Sequence, residues 1–236
     1  MYKSTALRAP PLNRLLAALP QVEYRSLLLN LELVPLIFGE VIYKPGDVIR
    51  HVYFPTSGIL SLLAAAEERA TLEVGIVGRE GMVGLPIFMG VKFSRDCAVV
   101  QGAGEAMRMK AAVFRKECTN GGALPGLLRR YSHSRLTQMS QGAACNRFHS
   151  IEARLARWLL MTSDRMESDE FQLTQEFLSN MLGVRREGVN RAAGALQQRN
   201  LISYSRGTLT TLDRTGLEAA SCRCYEIIKD EAASAF

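Results

Sequence analysis

Apolar side chains recur at helical spacing through the stretch LTQEFLSNMLGVRREGVNRAAGALQ, which begins at Leu173. Phe177, Leu178, Met181 and Leu182 share one helical face, and Val189, Ala192, Ala193 and Leu196 share another. Gly183 separates the two sets, where a tight turn needs a permissive backbone. Thr174 stands where an N-cap hydroxyl would accept from an unpaired backbone N–H. The pattern predicts two helices, the second from about Arg185 to Arg199, with Val184 turning into the core. After Asn200, the runs LISY and TLTTL flank Ser205-Arg206-Gly207, which reads as a β-hairpin. Leu173 to Thr211 is therefore expected to be a helix-turn-helix followed by a wing.

Upstream the period changes. Leu33–Phe38 starts a β-rich texture that continues to about Met109. Its runs are Val41–Tyr43, Val48–Phe54, Ile59–Ala64, Thr71–Val77, Ala98–Gln101 and Glu105–Met109. Lys44-Pro45-Gly46-Asp47, Pro55-Thr56-Ser57-Gly58, Gly78-Arg79-Glu80-Gly81 and Gly102-Ala103-Gly104 break them. Short strands at close spacing imply an antiparallel roll or barrel. Pro11–Leu19 and Tyr24–Leu31 are expected to be short helices before the roll. A short helix over Ala112–Glu117 follows it, and then one long helix from Leu124 to about Phe148. Leu127, Leu128, Tyr131, Leu136, Met139, Ala143 and Ala144 are that helix's apolar positions. Ile151, Leu155, Trp158, Leu159 and Met161 form the core stripe of the next helix. Ser163–Glu170 reads as a polar connection, Asp213 as the cap of a last helix over Leu217–Glu231, and the final five residues as a frayed tail.

Charge changes the picture at the second helix of the pair. Its outward face carries Arg185, Arg186, Glu187, Asn190 and Arg191, and Arg206 stands at the tip of the hairpin. Arg can pair with guanine O6 and N7, Asn with adenine, and Glu with the cytosine amino group. Residues near the start of the second helix are those that reach base edges in this motif. The whole chain has 236 residues and a formal charge of +6, which favours an anionic partner without naming it. The opening segment lacks the apolar core and cleavage pattern of a signal peptide. No run approaches the ~18 apolar residues of a membrane span, so a cytoplasmic chain with no membrane partner is expected.

PGDVIRHVYFPTSGILSLL resembles the first half of a cyclic-nucleotide-binding β-roll, and GIVGREGMVGLPIFMG with SRDCAVVQGAGEAMRM resembles its phosphate cassette and closing strands. Together with the helix-turn-helix and wing, nearly the whole chain is similar to the bacterial Crp/Fnr family of transcription regulators. The resemblance implies an α+β fold in three parts. These are a cyclic-nucleotide-binding-like jelly roll over residues 1–118, a linker and dimerisation helix over 119–150, and a winged helix-turn-helix over 151–236. It implies a homodimer that reads a two-fold symmetric DNA site, with RNA polymerase as a further partner. Arg186, Glu187 and Arg191 fall where the cyclic-AMP receptor protein has its base-contacting Arg, Glu and Arg. Thr174, Arg185, Asn190 and Arg206 complete the expected DNA-contact set.

The sensor half departs from the family pattern. The ribose-binding Glu position holds Met82, and the phosphate-binding Arg-Ser/Thr pair falls on Asp96-Cys97, with Arg95 one residue away. A fixed Arg fork suits phosphate, whereas Asp96 repels it. Cyclic AMP is therefore not the expected signal. Arg79, Glu80, Met82, Val83, Arg95, Asp96 and Cys97 are the candidate pocket for an unidentified small molecule or redox signal, and no cofactor is expected.

Cys97, Cys118, Cys145, Cys222 and Cys224 show no Cys-x-x-Cys pair, and none precedes Cys97, so the N-terminal iron–sulfur type is absent. They are expected to be thiols. Cys222-Arg223-Cys224 could act as a redox or metal pair, with Cys145 joining them if the fold brings it near, but small apolar fillers on the last helix are the expected role, and no metal site is expected. His51, His133 and His149 stand in no distinctive motif. No nucleophile–base pair is evident, and Gly78–Gly84 lacks the Lys-Ser/Thr of a Walker loop, so an enzyme is not expected. The competing reading is a ligand-binding or interaction module whose helix-turn-helix has lost DNA. Gly188 inside the second helix, costing about 1 kcal/mol relative to Ala, lends it slight support.

Overall fold

The computed structural model of the chain describes residues 13–67 and 70–236. The first two residues of the helix expected over Pro11–Leu19 lie outside the described residues. The described part forms α1 (Arg14–Ala17), followed by α2 (Gln21–Leu28). Asn13 anchors this start: its side chain caps α1 at Leu16 N and donates to the carbonyls of Pro55 and Gly81 at 2.9 and 2.8 Å.

The roll consists of β1 (Glu32–Leu36), β2 (Val41–Tyr43), β3 (His51–Pro55), β4 (Ile59–Glu67), β5 (Ala70–Val77), β6 (Cys97–Gly102) and β7 (Gly104–Lys110). They make two antiparallel sheets, ordered β1-β7-β3 and β2-β6-β4-β5. Each expected run is present, apart from the first half of Val48–Phe54, which makes only an isolated bridge from Val48 to Phe93. The roll's core joins Leu36, Val52, Phe54, Leu60, Val77, Val100 and Met109 to Phe114 of α3 (Ala111–Thr119). Leu127, Leu128 and Tyr131 of α4 (Leu124–Phe148) close it.

The period of two along β4 and β5 places a second apolar set on their other face. Leu60 and Val77 enter the roll's core, while Ile59 and Ile76 enter a separate core with Leu155, Leu159, Leu178, Val189 and Leu196. This second core is built by α5 (Ile151–Met166), α6 (Gln175–Leu182), α7 (Arg186–Gln198) and a small sheet. That sheet is ordered β8 (Glu170–Gln172), β10 (Thr208–Thr211), β9 (Ile202–Ser205). The β-roll and the winged helix are thus joined through a sheet buried on both faces.

Besides α2, which starts and ends three residues before the expected Tyr24–Leu31, three boundaries differ from what local pattern predicts. The polar segment after Thr162 is not a connection: α5 continues to Met166 and stops at Glu167, which takes φ 52°. Tertiary contacts hold this extra turn, with the Ser163 hydroxyl donating to Asp169 and Arg165 paired with Glu80. The last helix is two helices, α8 (Arg214–Ala220) and α9 (Cys224–Ser234), because Ser221 is extended and its hydroxyl donates back to Glu218 O. The tail is docked rather than frayed: Ala235 is buried and its carbonyl accepts from Arg130 Nε of α4 at 3.0 Å.

Candidate nucleic-acid interface and effector region

The turn between α6 and α7 is built as the pattern requires. Thr174 caps α6, its hydroxyl accepting from Phe177 N at 3.1 Å. Gly183 ends α6 in the left-handed region, at φ 61°. Leu178, Met181 and Leu182 of α6 and Val189, Ala192, Ala193 and Leu196 of α7 are all buried. Their burial turns Arg185, Arg186, Glu187, Asn190 and Arg191 to solvent. Among the described residues none of these five side chains has a hydrogen bond or ion pair. Four basic or amide-bearing groups and one carboxylate at the start of α7 are therefore free to meet a ligand. Arg199, by contrast, is engaged with Glu152 at 2.7 Å.

Gly188 has a packing explanation. It is buried in the first turns of α7, and a Cβ there would lie 3.0 Å from Ile151 Cδ1. Glycine lets α7 approach the first residue of α5 closely. The close crossing gives this glycine a packing role beside its helix-propensity cost.

The wing is a two-residue hairpin. Arg206 at φ 51° and Gly207 at φ 83° are consecutive left-handed residues, which suits the twist of the flanking strands. Arg206 is exposed at the tip, beyond the buried anchor Leu209.

The seven candidate effector residues occupy three different environments. Arg79 and Glu80 face α5: Arg79 pairs with Glu167, and Glu80 accepts from Arg165 Nε at 2.7 Å. Met82 and Val83 are in the roll's core, each 1% exposed. Arg95 is exposed, while Asp96 and Cys97 are half-buried at the start of β6. Burial raises the Asp96 carboxyl above its usual range, against the opposing field of Arg135. Burial likewise raises the Cys97 thiol, the opposite of what activates a thiolate.

Two side chains of α4 with polar ends pack against β5 and the Gly81–Met82 backbone. The Tyr131 hydroxyl donates to Met82 O at 2.9 Å. The Arg135 guanidinium lies against Gly75, donates to Ile76 O at 3.1 Å and contacts the Gln138 amide oxygen. Arg135 is only 8% exposed. A helix with an apolar period places such residues inward, but nothing in one-dimensional spacing says that a guanidinium will be the one buried.

No helix among the described residues is long and apolar enough to cross a membrane. Comparison with known proteins places the architecture. Residues 153–220 match the Crp-like helix-turn-helix domain. No curated protein sequence matches the chain. Among solved structures, FixK2 from Bradyrhizobium japonicum superposes with a TM-score of 0.69 at 15% identity, over 81% of this chain and 98% of that one. CLP from Xanthomonas campestris, a c-di-GMP-responsive global regulator, gives 0.65 at 17% identity over 81% and 99%. A CRP-family transcriptional regulator from Thermus thermophilus gives 0.66 at 17% over 80% and 96%. The fold is thus a β-roll joined by a long helix to a winged helix. It is the Crp/Fnr transcription-regulator fold, and residues 153–220 carry that family's helix-turn-helix.

Proposed function

We propose that this chain is a transcription regulator that binds double-stranded DNA as a homodimer on a two-fold symmetric site. The observation that carries the reading is the unpartnered, solvent-facing set Arg185, Arg186, Glu187, Asn190 and Arg191 at the start of α7, in a Crp-like helix-turn-helix. In this assignment Arg186, Glu187 and Arg191 read base edges. Arg185, Arg206 and the Thr174 end of α6 hold phosphates.

The homodimer is supported by α4. Its inward positions are spent on the roll, yet Leu136 and Met139 remain 58% and 43% exposed, with Ala143 exposed further along the same face. A second copy of α4 would cover this stripe, and two α7 helices would then enter half-sites about 34 Å apart. RNA polymerase is the further partner, and the cytoplasm the place of action. The division of labour is a signal-receiving roll over residues 1–118, the dimer helix over 119–150 and DNA reading over 151–236.

The signal is a small molecule or a redox change, not cyclic AMP. Met82 offers no acceptor for a ribose hydroxyl, and Asp96 would oppose a phosphate. The Arg135 guanidinium already takes its partners from the chain itself. A signal shifts the equilibrium only through its differential affinity for the two arrangements of roll and winged helix.

The test is selection of genomic DNA fragments by purified protein at moderate salt, wild type beside an Arg186→Ala/Arg191→Ala variant. Enrichment of a symmetric site by wild type alone is expected. Equal enrichment by both proteins would remove the assignment of α7 as the reading helix.

A further inference from the structure

The long helix α4 ends at a cluster that the DNA-reading face does not use. Cys145 is fully buried near the end of α4, and His149 is the helix's C-cap, its N–H bonded to Cys145 O. The spacing of four puts both side chains on one face. Cys222 in the break between α8 and α9 and Cys224 at the start of α9 are 8% and 4% exposed. Cys145 Sγ lies 3.4 Å from Cys222 Sγ, and Cys224 Sγ lies 3.6 Å from His149 Nδ1. The four ligand atoms are all within 4.8 Å of one another.

We propose that Cys145, His149, Cys222 and Cys224 bind one zinc-class divalent metal ion, which clamps the C-terminal helices to the hinge between α4 and α5. Three thiolates and one imidazole are a tetrahedral zinc donor set. Metal–sulfur bonds of about 2.3 Å about one centre place the donor atoms less than 4 Å apart along each edge. The two measured edges meet this, and the remaining ones close with small side-chain rotations. A polynuclear iron–sulfur cluster has several metal atoms to enclose, and these ligands stand too close together for it.

Charge supports the assignment independently. Binding replaces three thiol protons, which go to solvent, with one dication, so the loaded site carries a net charge of −1. Such a charge away from water needs a counter-charge. Arg154 and Arg157 of α5 lie within electrostatic reach of the cysteines, and each has a buried Nε–H with no hydrogen-bond partner.

The clamp joins elements distant in sequence at the point where they control α7. His149 is followed by Ser150, the N-cap of α5, and then by Ile151, the residue on which Gly188 of α7 rests. Arg154 donates to Leu182 O at the end of α6. Occupancy would therefore hold α5, and with it both helices of the DNA-reading motif, in one relation to α4.

The experiment uses the full chain, purified without a metal-binding tag under reducing conditions. Zinc is measured by mass spectrometry, and Co(II) is titrated into metal-stripped protein. One zinc per chain is expected, together with thiolate-to-cobalt charge-transfer bands and the intense visible bands of a tetrahedral site. Cys222→Ser/Cys224→Ser should weaken binding roughly tenfold or more, since losing a ligand costs at least as much as losing an outer-shell partner. His149 is exposed, so His149→Ala should fold normally and lose affinity, while His149→Cys should restore it with shifted cobalt bands. Cys97→Ser/Cys118→Ser should keep one zinc. Absence of stoichiometric metal, equal binding by the Cys222→Ser/Cys224→Ser variant, or a Cys145–Cys222 disulfide in its place would overturn the proposal. None of these readings involves DNA, so failure of the clamp and failure of the DNA assignment are separable.

Discussion

The Trp158 indole donates to Glu73 Oε1 at 3.0 Å, tying α5 of the winged helix to β5 of the roll. Part of Glu73 reaches solvent, but its carboxyl group is enclosed, and the Ser61 hydroxyl donates to its other oxygen at 2.6 Å. Desolvation raises its pKa, and the opposing effects of Ser61, Arg157, Trp158 and Arg165 do not cancel that rise. The folded state therefore prefers the neutral acid. Stability should fall as pH rises from the unfolded carboxylate's ordinary range through the higher folded value, and level off above it.

Glu73→Gln keeps the shape and the acceptor for Trp158 but cannot ionise. Its melting temperature should exceed that of wild type at neutral pH, and the gap should close in acid. Thermal unfolding at the two pH values, followed by Trp158 fluorescence, measures this. A variant less stable than wild type at neutral pH would mean that Arg157 and Arg165 hold Glu73 as a carboxylate.

Arg186 and Arg206 should differ in kind. Arg186→Ala is expected to cost roughly 1–3 kcal/mol and to relax preference at one base pair. Arg206→Ala should weaken all DNA sequences alike and lower the salt slope by about one. Binding isotherms on a selected site and its single-base variants, at several salt concentrations, separate the two. A uniform loss for Arg186→Ala would reassign it to a phosphate.

Leu136 should matter only to assembly. It is exposed in the single chain, so Leu136→Asp leaves the fold intact while placing facing charges along a paired α4. Analytical ultracentrifugation should show a shift from dimer to monomer with an unchanged melting profile. An unchanged dimer would move the interface away from this stripe.

Gly188 should not accept a large side chain. Gly188→Leu would push α7 off Ile151, and overpacking of this kind costs about 1–3 kcal/mol. Urea unfolding should show a lowered midpoint. A stability equal to wild type would mean that the α5–α7 crossing can open without loss.

Some of this was readable residue by residue. Thr174, Gly183 and the apolar faces of α6 and α7 act locally, so spacing alone placed the helix pair within a residue or so of its observed limits. The strand runs were legible because their turns carry Gly, Pro and Asp, which act on the backbone where they stand. Where distant contacts set the outcome, local pattern carries no trace of it. The polar run after Thr162 stays helical through Glu80 and Asp169, and the tail is held by Arg130. Arg79 and Glu80, close to Met82 in sequence, turned to α5 while Met82 entered the core.

The order of elements and the chemistry displayed by α7 follow from local sequence, because propensity, capping and hydrophobic period act over a few residues. Long-range packing is what buries the Arg135 guanidinium against Gly75 and Ile76. It alone brought His149 to Cys145, Cys222 and Cys224. Those neighbours are separated by up to 79 positions, and what joins them is the packing of α9 along α4, held by the buried cysteines themselves and by Arg130 on the Ala235 carbonyl rather than by any local signal.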